Sequence, residues 1–151
     1  MIIEVKNIDE MLGFGAKVGG LLNGGEIIEL VGDVGAGKTT FVKGIAKAMG
    51  IDETVQSPSF TINRVYDAKN NIRLSHYDFY RLADAGIMAV ELGEVLADPN
   101  TVKVIEWSNA VKDILPKDRL IINIDVTSNE ARRLLISADG EASLKLMEKI
   151  R

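Results

Sequence analysis

A chain of 151 residues, 46% hydrophobic and 26% charged, has the composition of one folded domain with a sizeable interior, which excludes disorder as its organising theme. Eighteen Lys and Arg against 22 Asp and Glu give a formal net charge of -4 at pH 7, so the chain lacks the electrostatic footprint of a protein that grips nucleic acid unaided. With no cysteine and a single histidine there is no disulfide, no thiol chemistry and no multi-histidine metal centre, and any metal must be held by oxygen.

No run approaches the roughly 18 apolar residues of a membrane span, and Met1-Ile2-Ile3-Glu4 lacks the layout of a secretory signal. A cytoplasmic protein with no membrane association is expected, folded as one domain over 1–151. In chain order, the first signal is an apolar set at helical spacing, Ile8, Met11, Leu12, Phe14, Val18, Leu21 and Leu22, with Asn7 as its cap and Gly24-Gly25 as its stop. Glu26 to Val31 then reads as a strand, Gly32 to Gly37 as a glycine loop, and Phe41, Ile45 and Met49 as one face of a helix closed by Gly50. Phe60 to Tyr66 and Ile72 to Tyr77 are β-rich and predict a hairpin joined through Asp67 to Asn71. Ala83 to Leu96 has a helical composition broken by Gly86 and Gly93, so one or two short helices within a mobile loop are expected. Thr101 to Glu106 predicts a strand, and Ala110 to Leu115 a short helix stopped by Pro116. Leu120 to Val126, the turn Thr127 to Glu130 and the run Leu134 to Ile136 predict a second hairpin, and Glu141 to Ile150 a closing helix. This interleaving favours a three-layer α/β fold, its sheet mixed, with a parallel core and antiparallel additions.

Gly32-Asp33-Val34-Gly35-Ala36-Gly37-Lys38-Thr39 fits G-x-x-x-x-G-K-[ST] and lies between the predicted strand and helix, as a phosphate-binding P-loop requires. Gly35, Ala36, Gly37, Lys38, Thr39 and Thr40 are therefore the candidate phosphate-binding residues. Their backbone N–H groups converge on anionic oxygen, the helix start adds its positive dipole, Lys38 holds the terminal phosphates and the Thr39 hydroxyl takes one position on Mg²⁺. The guanine-reading N/T-K-x-D tetrad and the D-x-x-G element are both missing, so ATP is the expected nucleotide.

The magnesium in such a site needs an acidic partner, normally at the end of a strand beside the P-loop strand. Asp78 and Glu106 each follow a predicted strand; either can ligate the metal while the other orients or deprotonates the attacking water. Lys38, Asp78 and Glu106 are the candidate catalytic residues. His76, inside its strand, is expected to be packed or hydrogen-bonded rather than a base. Trp107 either packs under the nucleotide or fills core, and Ser57-Pro58-Ser59 is either a γ-phosphate sensor or a plain proline turn. Arg81, Arg132 and Arg133 are expected to be solvated. Asn7 to Glu10 and Asn129 to Arg132 are places to look for contacts to adenine.

The P-loop continued through Thr40-Phe41, then Ser57-Pro58-Ser59-Phe60-Thr61, His76-Tyr77-Asp78-Phe79-Tyr80-Arg81-Leu82 and Ile105-Glu106-Trp107, resemble the TsaE family in order and spacing. That resemblance covers Ile8 to about Glu106. It implies a P-loop NTPase fold and the ATPase component of bacterial tRNA threonylcarbamoyladenosine biosynthesis, acting with a TsaB-TsaD pair in which TsaD is the transferase, so that tRNA is met through partners. It further implies Thr39 and Glu106 as Mg²⁺ ligands, Asp78 as a Walker-B-like acid, and Ser57 to Phe60 as a switch-like loop. Two departures stand out: Ser59 where threonine is common, and Ser108 where proline often follows the tryptophan, the latter expected to alter only loop rigidity. Two alternatives stay open: a small-molecule kinase, and a nucleotide-controlled docking module with incidental hydrolysis.

Overall fold

The computed structural model describes residues 1–84 and 86–151. Its strands are β1 (Ile2–Val5), β2 (Ile27–Val31), β3 (Asn63–Asp67), β4 (Arg73–Asp78), β5 (Thr101–Glu106), β6 (Leu120–Val126) and β7 (Arg132–Ala138), and its helices α1 (Ile8–Gly19), α2 (Lys38–Ala48), α3 (Ile87–Leu96) and α4 (Glu141–Ile150). They form one seven-stranded sheet in the order β1-β7-β6-β2-β5-β4-β3. The parallel core is β6, β2, β5 and β4; β3, β7 and β1 are antiparallel additions.

Burial follows this order. β5 is buried at every residue and β4 at all but the first, as expected of parallel strands covered on both faces, and the buried Lys103 of β5 spends its ammonium on the Gly25 and Asp98 carbonyls. β6 alternates, with Leu120, Ile122 and Ile124 turned to the larger core and Ile121 and Asn123 only half-buried. That larger core joins one face of the sheet to α1, α2 and α4 through Phe14, Val18, Phe41, Ile45, Leu146 and Ile150. A smaller cluster on the other face packs Leu92 of α3, Val111 and Leu115 against Ile27, Tyr77 and Ile105. These are the three layers. Among the described residues, no helix is long and apolar enough to cross a membrane.

α1 and α2 pack with their backbones close together because glycines face each other. A Cβ on Gly44 would lie 2.3 Å from the Leu12 carbonyl oxygen, and one on Gly15 2.3 Å from that of Phe41. Backbone cannot yield as a side-chain tip can, so Gly44→Ala should force the helices apart and cost about 1–3 kcal/mol. A lowered midpoint in urea at unchanged slope checks this.

Several expectations shift. α1 ends at Gly19 rather than near Leu22, since Gly20 already caps it through bonds to Ala16 and Val18. The first hairpin strand starts at Asn63; Phe60 and Thr61 fall in a turn closed by the Ile62 amide on the Pro58 carbonyl, with Ile62 at φ +69°. Between Gly86 and Leu96 there is a single helix; position 85 lies outside the described residues. The helix expected over Ala110 to Leu115 is a 3-10 turn, Ser108–Val111, followed by isolated turns that bring Val111 and Leu115 into the smaller core. β1 carries no sequence signal of its own. Four residues are too few to show a period, and the strand exists because β7 offers an edge, with Ile2 opposite Leu135.

Candidate functional site

The P-loop leaves β2 and enters α2 at Lys38. Gly35 and Gly37 sit at φ +81° and +106°, a region closed to most side chains, and no side chain among the described residues caps the start of α2. The first amides of the helix are thus free to meet an anion. Lys38 folds back over the loop, 7% exposed, its Nζ donating to the Gly32 carbonyl and, at 3.4 Å, to that of Asp33. The same ammonium lies 4.2 Å from the centre of the Trp107 ring and 3.9 Å from Glu106 Oε1. Burial pushes Lys38 below the ordinary lysine pKa, while the carboxylates of Glu106, Asp78 and Asp33 pull it back.

Both acids arrive where the sequence puts them. β4 and β5 are adjacent and parallel with Asp78 opposite Glu106, so the two carboxylates leave the same sheet face, each 2% exposed. β5 is next to the P-loop strand, whereas β4 is one strand further out, so only Glu106 meets the expectation of an acid beside the P-loop strand. Asp78 is held from two sides: Ser59 Oγ donates to Oδ2 at 2.7 Å and the Tyr80 amide to Oδ1 at 2.9 Å. Ser57 Oγ lies 2.9 Å from Ser59 Oγ, so the serine turn hangs on Asp78. Glu106 Oε2 meets His76 Nε2. Trp107, at φ +53°, is in the left-handed region, a strained choice that places its indole over Lys38 and 4.7 Å, centre to centre, from the Tyr80 ring. Gly35, Gly37, Lys38, Thr39, Thr40, Ser57, Ser59, Asp78, Glu106 and Trp107 thereby enclose one hollow of about 350 Å³. Of the candidate phosphate-binding residues, Ala36 does not line it, its side chain being wholly buried.

A family model described as threonylcarbamoyl adenosine biosynthesis protein TsaE matches residues 5–134. The chain belongs to the TsaE family. A TsaE-family protein from Bacillus subtilis, named as a tRNA threonylcarbamoyladenosine biosynthesis protein, is 35% identical over 127 residues, 83% of this chain and 78% of that one. Its counterpart in Borreliella burgdorferi is 38% identical over 121 residues, covering 80% and 87%. A crystal structure of YdiB from Bacillus subtilis superposes with a TM-score of 0.81 at 28% identity, over 99% of this chain and 93% of that one.

Against the TsaE sequence pattern, three residues carry more than their sequence suggested. Arg132 is not a solvated charge. Its guanidinium donates to Ala36 O at 2.9 Å and Gly35 O at 3.3 Å, and also to the carbonyls of Ser128, Asn129 and Ala131, tying the β6–β7 turn to the P-loop. A bond spanning 96 residues leaves no local trace. Arg132→Ala should therefore weaken nucleotide binding on the order of tenfold, about 1.4 kcal/mol, by loosening the Gly35 and Ala36 peptides; calorimetric titration checks this. Ser108 does more than set loop rigidity: its hydroxyl donates to Glu29, which also pairs with Arg119 at 2.6 Å. Phe60, 82% exposed, stacks under the Arg81 guanidinium at 4.3 Å, so Arg81 is not freely solvated either. Arg133 is half-exposed and pairs with Glu4 at 3.1 Å. The two stretches suggested for adenine do meet: Asn7, Ile8, Glu130 and Arg132 share a hollow of about 130 Å³ with Met11, Gly35 to Gly37 and Thr40. A larger hollow, about 680 Å³, lies across Trp107 from the P-loop hollow, lined by Asp33, Asn109, Asn123 and Asp125.

Proposed function

We propose that the chain binds MgATP in the P-loop hollow and hydrolyses it, slowly when alone, as the ATPase subunit of a tRNA threonylcarbamoyladenosine-forming assembly with a TsaB-TsaD pair. The observation that carries this reading is the convergence of the amide nest, Lys38, Asp78 and Glu106 on one cavity. Family membership supports the pathway, and the net charge of -4 suits a helper that meets tRNA through partners. Since its partners handle tRNA, we place its work in the cytoplasm.

The donor set suits magnesium. Thr39 and Glu106 offer a hydroxyl and a carboxylate, both hard oxygen ligands, and a metal that keeps several waters and takes the rest of its shell from phosphates needs little more from the protein. When bound there, Mg²⁺ would neutralise charge on the β- and γ-phosphate oxygens. The nest and Lys38 hold the phosphate tail in line, and the buried setting strengthens that attraction. Asp78, one strand further from the P-loop strand than Glu106 and fixed by Ser59 and Tyr80, orients a water through its remaining lone pairs. The Ser57 to Ser59 turn, hung on that same carboxylate, is placed to register whether a γ-phosphate is present. The base and ribose take the smaller hollow between Asn7 and Arg132.

The test is γ-phosphate release by the purified chain, alone and with TsaB-TsaD and tRNA. Free phosphate, accelerated by the partners, is expected; its absence in both conditions, with wild-type chain and saturating MgATP, refutes the reading. Thr39→Ala should raise the Mg²⁺ concentration needed for half-maximal turnover by about tenfold, one lost oxygen ligand being worth roughly 1–2 kcal/mol. An unchanged magnesium titration counts against the metal assignment.

A further inference from the structure

We propose that His76 is the positioning residue for Glu106: its imidazole binds one carboxylate oxygen and thereby turns the other toward Lys38 and the phosphate cradle. This rests on the MgATP reading above and names a part of the same site. In the register of β4 on β5, His76 pairs with Val104 and Asp78 with Glu106, so His76 stands one rung behind the two acids on their own face. It is wholly buried, and a polar ring there is costly unless bonded. Its Nε2 meets Glu106 Oε2, whereas Nδ1 has no partner among the described residues. Nε2 therefore carries a proton toward Glu106, because a proton on Nδ1 alone would be buried without an acceptor and would leave the Glu106 contact without a donor.

The two acids are supported unequally. Asp78 is fixed by Ser59 and by a backbone amide, neither of which involves His76. For the Glu106 side chain, the bond to His76 is the one hydrogen bond among the described residues; Lys38, at 3.9 Å from Oε1, is beyond hydrogen-bonding distance and is engaged with the Gly32 and Asp33 carbonyls. Without the imidazole, the carboxylate is free to rotate and loses its alignment, while Asp78, the P-loop and Thr39 keep theirs.

The experiment compares His76→Leu and His76→Gln with wild type. Leucine fills the buried volume without a donor; glutamine places an amide N–H near the Nε2 position. Positioning predicts that His76→Leu lowers kcat or raises the Mg²⁺ activation constant by about 10–100-fold, with nucleotide affinity in the absence of magnesium unchanged, and that His76→Gln recovers most of the loss. Wild-type kcat and magnesium dependence in His76→Leu overturn the proposal, and so does an equal loss in both variants. Should His76→Leu not fold, His76→Asn, whose amide reaches only the Nδ1 position, replaces it: glutamine active and asparagine impaired supports the proposal, equal activity overturns it. A readout independent of turnover is at hand because the chain has one histidine, so its imidazole ¹⁵N signals need no assignment. Nε2 should carry the proton and shift on Glu106→Gln; a bare Nε2, or no shift, overturns the proposal. If wild type itself releases no phosphate, it is the MgATP reading that has failed, and the nitrogen spectrum still decides the His76–Glu106 bond.

Discussion

Lys38→Ala should cut MgATP turnover by at least about 100–1,000-fold, the cost of removing one preorganised charge from a transition state that carries its own charge on phosphoryl oxygens. No neighbour among the described residues is placed to substitute. The other cationic group near the loop, Arg132, faces the carbonyl side of Gly35 and Ala36 rather than the cradle. The loss should not be a loss of fold. Burial already pushes the Lys38 pKa down, so the ammonium is held there at some expense, and Glu106 keeps its bond to His76 when the lysine is gone. The check pairs phosphate release with a thermal melt: turnover lost at a near-native midpoint is the expected result, and unchanged turnover and ATP affinity would refute the site.

Glu106→Gln should separate binding from turnover. Glutamine keeps the volume and can still accept from His76 through its carbonyl oxygen, but it removes a negative charge 3.9 Å from the lysine ammonium and weakens the site as a metal ligand. Nucleotide affinity without magnesium should hold or rise, since a carboxylate no longer faces the phosphates, while hydrolysis falls by about 100-fold or more. Mixed with TsaB-TsaD and tRNA, such a protein also tells an energy-coupling subunit from a nucleotide-controlled docking module: the first predicts that repeated rounds of modification stop, the second that they continue. Equal kcat in Glu106→Gln and wild type would remove Glu106 from the mechanism.

How much of this was legible in the sequence depends on how local the cause is. The P-loop was fully legible, because its chemistry needs glycines, a lysine and a hydroxyl at set intervals on one strand-loop-helix unit. β5 and α4 lie over the residues predicted for them, Thr101–Glu106 and Glu141–Ile150; in α4, burial of one face leaves Ser143, Leu146 and Ile150 at helical spacing. The acids were legible as residues at strand ends, but not their difference in support. That difference depends on Ser59, Tyr80 and His76 reaching them across turns and neighbouring strands. Arg132 was misread because nothing near it in sequence distinguishes a clamp from a solvated charge.

By itself, the sequence determined the P-loop, the two acids at strand ends and the alternation of strands with helices. Each follows from residue type and spacing within a few turns of chain. Only the tertiary structure decided the strand order, the adoption of Ile2–Val5 as an edge strand, the histidine behind Glu106 and the arginine beneath the P-loop. These are pairings between segments far apart along the chain, where a buried polar group takes whichever partner packing delivers, and no local pattern records which one that is.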